Sequence, residues 1–357
     1  CNISNTNLSL EFYHSNNYLF YKKAIEGFTY DAFEKLVFSF GLDTIKRGTK
    51  VYPASDQASS VVDILYNEAL HQGVKFHFDS EVSTIEKNEQ FTIFTKNNSF
   101  TFDKIILASG SGAMKKLGSS DSGYNLSQIF GHTIIKPMAS LVQLESDNEA
   151  IKKLSGLKCE AKVTLLINNQ KTTTKHGDIL FAKYGVSGNT ILDLSREASL
   201  ALNEYQVVDV LVDIFPKLEK NKLLSQLEKK QKQIGDKKRD FLLLSLVHSK
   251  IIDYIFTMAK IKQEKEYIKD LTKKDLQALV YTMKNIKIAI TASRGYEYAE
   301  VVSGGIDTKD IDPLTMESKL TKNLYFIGEV MDVDGDCGGY NLHWAWASSF
   351  SLVKNLK

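Results

Sequence analysis

The stretch that most constrains this chain is residues 323–349, NLYFIGEVMDVDGDCGGYNLHWAWASS. From Leu324 to Val330 it is apolar except for Gly328 and Glu329, a pattern that reads as a strand buried on both faces and ending in a glycine and an acid. Buried strands of this kind belong to α/β sheets covered by helices, and ligands sit at the carboxyl ends of such strands. The acids Asp332, Asp334 and Asp336 then alternate, Gly338 and Gly339 permit positive φ, and an aromatic helix follows. Two readings compete: the acids could cage a cation, or the glycines could let backbone approach a cofactor. The three acids occupy positions one, three and five of a calcium loop. Position six, however, is Cys337 in place of Gly, and position twelve is His343 in place of Glu, so no metal ligands are assigned. In the second reading Gly328 allows close approach and Glu329 accepts hydrogen bonds from sugar-like hydroxyls. The helix beginning near Tyr340 or Asn341 would aim its positive end at an anion, for which a reduced isoalloxazine ring is one candidate. A tight turn and helix start without any ligand accounts for GGYN equally well.

Elsewhere the hydrophobic period divides the chain. DAFEKLVFSFGLDTI reads as an amphipathic helix stopped by Gly41. SDQASSVVDILYNEALHQG reads as another, capped by Ser55 or Asp56, followed by Gly73, with Val61, Val62, Leu65, Ala69 and Leu70 at helical spacing. The period then becomes two: VKFHF, EVSTIEK, QFTIFTK and SFTFD predict a small β-meander, and KIILASGSG a buried strand entering a glycine turn. Residues 134–196 read as strands (SLVQLE, AKVTLLINN, DILFAKYGVSG, TILDLS) and 203–285 as helices, with Pro216 ending the first and Gly235 breaking a lysine-rich stretch. Strands return at IKIAITASRG, and the chain ends on a helix. The expected fold is α/β, a domain interrupted by an insert of roughly 150 residues that is part sheet and part helical bundle.

Charge and cysteines exclude several function classes. The 357 residues carry 45 basic and 43 acidic side chains, a net charge of +2 that offers no global field for nucleic acid or an anionic membrane. EKKQKQIGDKKRD is expected to be a solvated helix end, because acids are interleaved and no aromatics stack beside it. The three cysteines, Cys1, Cys159 and Cys337, contain no CxxC; they fit a reducing cytoplasm and provide no dithiol redox centre. The most apolar run, FLLLSLVHSKIIDYIF, is interrupted by His248, Lys250 and Asp253, so no membrane span is expected. The chain opens on Cys, not Met, from which an absent upstream segment is expected.

The opening stretch, together with CNISN, VYPASDQASSVVDIL, ILASGS, GSSDSGY, GVSGNTILDLSR and VVSGGIDTKDIDPLTMESKL, closely resembles the HI0933-like, or aminoacetone-oxidase-type, family of bacterial FAD-dependent oxidoreductases. The matches cover nearly the whole sequence in order. The resemblance implies a glutathione-reductase-like FAD domain interrupted by a β-barrel-like sheet and a helical bundle. The boundaries expected are 1–132 and 288–357 for the FAD domain, 133–202 for the barrel-like part and 203–287 for the helical part. In the family a strand, a G-x-G-x-x-G turn and an acidic ribose ligand lie upstream of the CNISN match. They are not found here, and GSGAMK, with Lys115 where a third glycine would stand, does not replace them. A full-length product is therefore expected to carry noncovalent FAD, and a chain beginning at Cys1 to bind it weakly or not at all. A second departure lies beside GVSG, where the family commonly has Thr-His and Gly-Pro and this chain has Ala182–Lys183 and Asn189.

By the same resemblance, Val82 is expected at the adenine, Ser109 and Gly110 near the pyrophosphate, and Gly328 and Glu329 at the ribityl chain. Asn341 and Leu342, beyond Gly338 and Gly339, are expected at the flavin pyrimidine, with Asn2 and Asn5 bordering the ring. Trp344 and Trp346 read as core, and no catalytic acid or base is assigned, His343 included. The function expected is hydride transfer through flavin N5 to a small-molecule substrate, with NAD(P)H able to serve as a transient reductant and no nucleic-acid or membrane partner. Two alternatives stand beside it, a non-catalytic scaffold and a flavin-dependent RNA-modifying enzyme.

Overall fold

The structure is a computed structural model that describes residues 2–356; Cys1, the first residue of the CNISN match, and Lys357 lie outside them. It divides into two units, Cys1–Ser140 with Tyr296–Lys357, and Leu141–Gly295.

The first unit is built around the terminal helix, Tyr340–Asn355. Its fully buried Trp344 meets Phe20 edge-on, ring centroids 6.2 Å apart. Phe20, Tyr21, Ala24 and Ile25 form the inner face of helix Tyr18–Gly27, one helical turn repeating their apolar pair. Helix Tyr30–Ser39 follows, its first turn capped by the Thr29 hydroxyl, which accepts from the Ala32 N–H. Strand Leu324–Phe326 is buried throughout and pairs in parallel with Ile105–Leu107, so the two carboxyl ends emerge together at Phe326 and Leu107. An antiparallel pair, Ile134–Ser140 with Val301–Ile306, lies in the same unit.

The meander is present as Val82–Lys87, Phe91–Thr95 and Ser99–Phe102, but VKFHF is not part of it. Alternation makes a strand only where a neighbouring strand takes the backbone hydrogen bonds. Here Phe76 and Phe78 instead stack on each other and meet the Tyr66 ring at a tilt, with centroids 4.8–6.3 Å apart. The helix expected after residue 55 runs Ala58–His71. Its N-cap is Gln57, neither Ser55 nor Asp56, and the Ser55 hydroxyl accepts from the Gln57 N–H. Gly73 follows its end at φ +81°, as its position predicted. The helix buries no residue, and Val62 is 65% exposed.

The second unit contains a seven-stranded antiparallel sheet in the order 286–290, 208–213, 158–167, 170–182, 185–187, 144–145, 292–293. The consecutive stretches 286–290 and 292–293 are the two ends of that order, so one length of chain closes the sheet on itself. Two expectations fail here. TILDLS is not a strand but the start of helix Asn189–Asn203, whose inner face is Ile191, Leu194, Ser195, Ala198 and Ala201. Residues 203–285 are not all helical, because Val208–Asp213 is a central strand of the sheet. Helices Lys220–Ile234, Ile252–Met258 and Lys273–Lys284 complete the unit, the last with a capping box between Thr272 and Asp275. The lysine-rich stretch is the expected solvated helix end and loop, the helix stopping at Ile234, with Lys237 lying over the ring of the adjoining Phe241.

Candidate functional site

The parallel pair ends in two glycine turns. Gly328 follows its strand at φ +72° and Gly110 follows Ile105–Leu107 at φ +68°, a region that side chains rarely adopt. Nothing lies within 4 Å of where a Gly110 Cβ would point, so this turn borders open space. The Gly328 turn is fixed to the terminal helix: its N–H donates to the Ser348 hydroxyl at 3.0 Å, and its carbonyl accepts from the Trp344 indole at 3.0 Å. The other turn is seated by glycines. A Cβ on Gly123 would lie 1.9 Å from the Ser109 hydroxyl, and one on Gly112 would lie 2.3 Å from an Asp121 carboxylate oxygen. Helix Ser122–Gln128, which receives Ser109, also packs on strand Val82–Lys87, where Val82 is half-buried.

Glu329 stands directly beyond Gly328. Its Oε1 accepts from the Val302 N–H at 2.9 Å, and Ser111 also hydrogen-bonds the carboxyl. Burial outweighs both bonds and pushes its pKa up to about 7, with the Asp334 charge adding to the rise. Close by, the buried Tyr124 hydroxyl has no hydrogen-bond partner among the described residues. Burial first, and then the Glu329 charge, hold that phenol well above its ordinary pKa. A half-buried carboxyl with unfilled acceptor capacity and an orphaned phenol beside it suit a ligand rich in hydroxyls and phosphate oxygens.

The acidic loop faces inward. Asp332 accepts from the Asn16 N–H at 2.9 Å, Asp336 pairs with the His14 Nε2 at 2.8 Å, and the backbone of Asp334–Gly335 pairs with Tyr13–His14. Among the described residues no group of three or more His, Cys, Asp or Glu side chains is placed to hold a metal ion. Asn341 closes the loop, its amide donating to the Gly335 carbonyl and its oxygen accepting from the Gly335 N–H, both at 2.8 Å. The Asn341 side chain is therefore spent inside the protein, leaving the helix start itself as the contact Asn341 can offer. Leu342 beside it is 41% exposed.

Packing accounts for the glycines of GGYN. A Cβ on Gly339, at φ +94°, would lie 2.5 Å from the Ser4 carbonyl oxygen, and one on Gly338 would lie 2.9 Å from the Tyr340 ring. Asn5 is buried and donates to the Gly338 carbonyl. His343 is fully buried between the Ser4 hydroxyl, 2.9 Å from Nδ1, and the Phe28 carbonyl, 3.0 Å from Nε2. A carbonyl can only accept, so Nε2 carries the proton and Nδ1 accepts from Ser4. Burial pulls this histidine down to about 4, which keeps it neutral and structural. Sequence reading missed Ser111 and Tyr124, although both lie in or beside the quoted motifs ILASGS and GSSDSGY. It also missed Ser348 and the Val302 N–H, which carry no local signal.

The family described as HI0933-like protein Rossmann domain matches residues 1–354. The chain is 31% identical over 351 residues to 3-dehydro-bile acid delta(4,6)-reductase of Clostridium scindens, covering 98% of this chain and 86% of that protein. It is 29% identical over 357 residues to ribosomal RNA dihydrouridine synthase of Escherichia coli, covering 100% and 86%. With the protein of that name from Haemophilus influenzae the identity is 28% over 365 residues, covering 100% and 87%.

Proposed function

We propose, for a chain that belongs to the HI0933-like family and is a flavin-dependent oxidoreductase, that it reduces a carbon–carbon double bond polarised by a neighbouring carbonyl, using noncovalent FAD. The names of the relatives support this reaction class. A Δ4,6-reductase of a 3-dehydro bile acid and a synthase of dihydrouridine both saturate such a bond. When bound, the flavin supplies hydride transfer through N5, and NAD(P)H is the proposed donor.

The observation that carries the reading is the pair of parallel strand ends turned by Gly110 and Gly328, with Glu329 and the unpartnered Tyr124 hydroxyl beside them. Glu329, held by Val302 and Ser111, is proposed to accept from ribityl hydroxyls. The open Gly110 turn and Ser109 would border the pyrophosphate, and Val82 the adenine. The amino end of the terminal helix, at Gly339–Leu342, would oppose negative charge on the flavin pyrimidine. The acids of the loop hold residues 13–16 and so fix that helix start. They are proposed to shape the wall and not to take part in chemistry.

The test is the visible spectrum of the purified protein, followed by anaerobic titration with NADPH and reoxidation by an α,β-unsaturated ketone. Flavin bands that bleach and return support the reading. Colourless full-length protein that does not take up added FAD sinks it and favours a non-catalytic scaffold.

A further inference from the structure

The first unit holds a cavity of about 500 Å³ that shares no residue with the two glycine turns. It is a groove between the outer face of helix Tyr18–Gly27 and residues 308–319. The inner face of that helix is spent on the core. Positions 19, 22, 23 and 26 lie three and four apart, so Leu19, Lys22, Lys23 and Glu26 form one stripe along the groove. The floor is apolar and recessed, with Phe20 and Ile311 both buried. A concave site of this size, apolar with a few convergent polar groups, falls within the roughly 300–1,000 Å³ range of small-molecule sites.

Three lysines line this groove against one carboxylate. Lys22 Nζ lies 3.8 Å from Glu26, a loose contact between exposed side chains, and Lys23 has no carboxylate partner among the described residues. Lys319 is seated by its Nζ, which donates to the Lys309 carbonyl at 2.7 Å and keeps its remaining ammonium protons for another acceptor. The Lys319 charge also reaches Asp312, whose carboxylate accepts from the Leu314 and Thr315 N–H groups, both at 2.9 Å. The helix starts in the same groove at Asn17, whose side chain makes no cap bond, and no acid stands in its first turn. Asp332 is engaged by the residue before, through the Asn16 N–H. The positive end of the helix therefore adds to the lysines. An independent observation points to a ligand: Thr308, only 1% exposed, lines the groove, and its hydroxyl has no hydrogen-bond partner among the described residues. Buried hydroxyls are ordinarily bonded, so one without a partner marks where a ligand oxygen would complete it.

We propose that this groove binds a small phosphate monoester. Its phosphate oxygens meet the Thr308 hydroxyl, the three ammonium groups and the helix start, and its organic body lies on Leu19, Ile311 and Pro313. A phosphate dianion matches three cations against one acid better than a carboxylate does. The recessed floor admits a single small molecule and not a bilayer. The test is isothermal titration of the full-length protein with phenyl phosphate, at saturating FAD so that the cofactor's own phosphate contacts are filled. Phenyl phosphate should bind, inorganic phosphate and phenyl sulfate should bind more weakly, and phenol should not bind. Thr308→Val keeps the shape and removes the hydroxyl. It should weaken phenyl phosphate about three- to tenfold while raising the melting temperature of the unliganded protein. Each of Lys22→Gln, Lys23→Gln and Lys319→Gln should cost about two- to fivefold, and the three together about ten- to a hundredfold. The threefold Lys→Arg variant should keep binding, and Glu26→Gln, which removes the competing carboxylate, should bind at least as tightly as wild type. The proposal is overturned by no binding of phenyl phosphate, by undiminished binding in the threefold Lys→Gln variant, or by inorganic phosphate binding as tightly as phenyl phosphate. It is overturned equally by binding to phosphatidic acid vesicles alone, or by a Thr308→Val protein that melts lower and binds phenyl phosphate as wild type does. The groove needs no flavin, so phenyl phosphate binding by protein that takes up no FAD upholds it while sinking the flavin reading.

Discussion

Replacing Glu329 by Gln should make the empty protein more stable and the loaded protein weaker at once. The wild-type carboxyl has its pKa raised from 4.5 to about 7, chiefly by burial. A raised carboxyl favours the folded state fully below pH 4.5, and that contribution is lost as pH rises through 7. The difference amounts to about 3 kcal/mol above pH 7, or roughly 5–10 °C in melting temperature for a unit of this size. Gln keeps an oxygen for the Val302 N–H and offers an amide to the Ser111 hydroxyl, so the packing survives while the charge does not. The amide cannot accept a second hydroxyl where the carboxylate could, so FAD affinity should fall about ten- to a hundredfold at pH 8. In the wild type, FAD uptake should tighten as pH rises through about 7, because a hydroxyl donor favours the ionised form. Differential scanning fluorimetry from pH 5 to 8, with flavin fluorescence quenching on the same samples, reads both effects. Should the variant melt lower than wild type at pH 8 and bind FAD equally well, Glu329 is an internal anchor for Val302 and the ligand role is wrong.

Gly110→Ala and Gly339→Ala separate ligand approach from packing. The first meets open space and should cost about 1 kcal/mol of stability while reducing FAD uptake. The second meets the Ser4 carbonyl at positive φ and should cost about 3 kcal/mol or more in a thermal melt. Ser348→Ala leaves the buried Gly328 N–H without an acceptor, a loss of about 1–3 kcal/mol by chemical denaturation. His343, lowered from 6.5 to about 4, contributes stability that is present above pH 6.5 and lost as pH falls through 4. His343→Gln should flatten that acid limb by about 3 kcal/mol, measured as melting temperature against pH.

What the sequence reveals of this protein depends on whether a signal is local. Gly328–Glu329 is legible because a buried strand must end somewhere and a glycine–acid pair marks the place; Trp344 is legible as core by its helical position. TILDLS is ambiguous over its own length, since ILDL fits either period. Only the following SREASLAL, and Gly188 at φ +97°, select the helix. VDVLVD alternates as a strand should, but it sits among helices and acquires meaning from partners at 162–167 and 286–290. The site divides in the same way. The resemblance places Asn341 at the flavin pyrimidine, and no rule of spacing reveals that its side chain is bonded to Gly335. Gly339 is needed because the Ser4 backbone passes beside it, a contact made by opposite ends of the chain. Ser111 and Glu329 lie in separate motifs, and their pairing exists only once the parallel strands bring the two turns together. Charge divides in the same way, since a total carries no position: +2 for the chain is the sum of one unit with 18 basic and 24 acidic residues and another with 27 and 19.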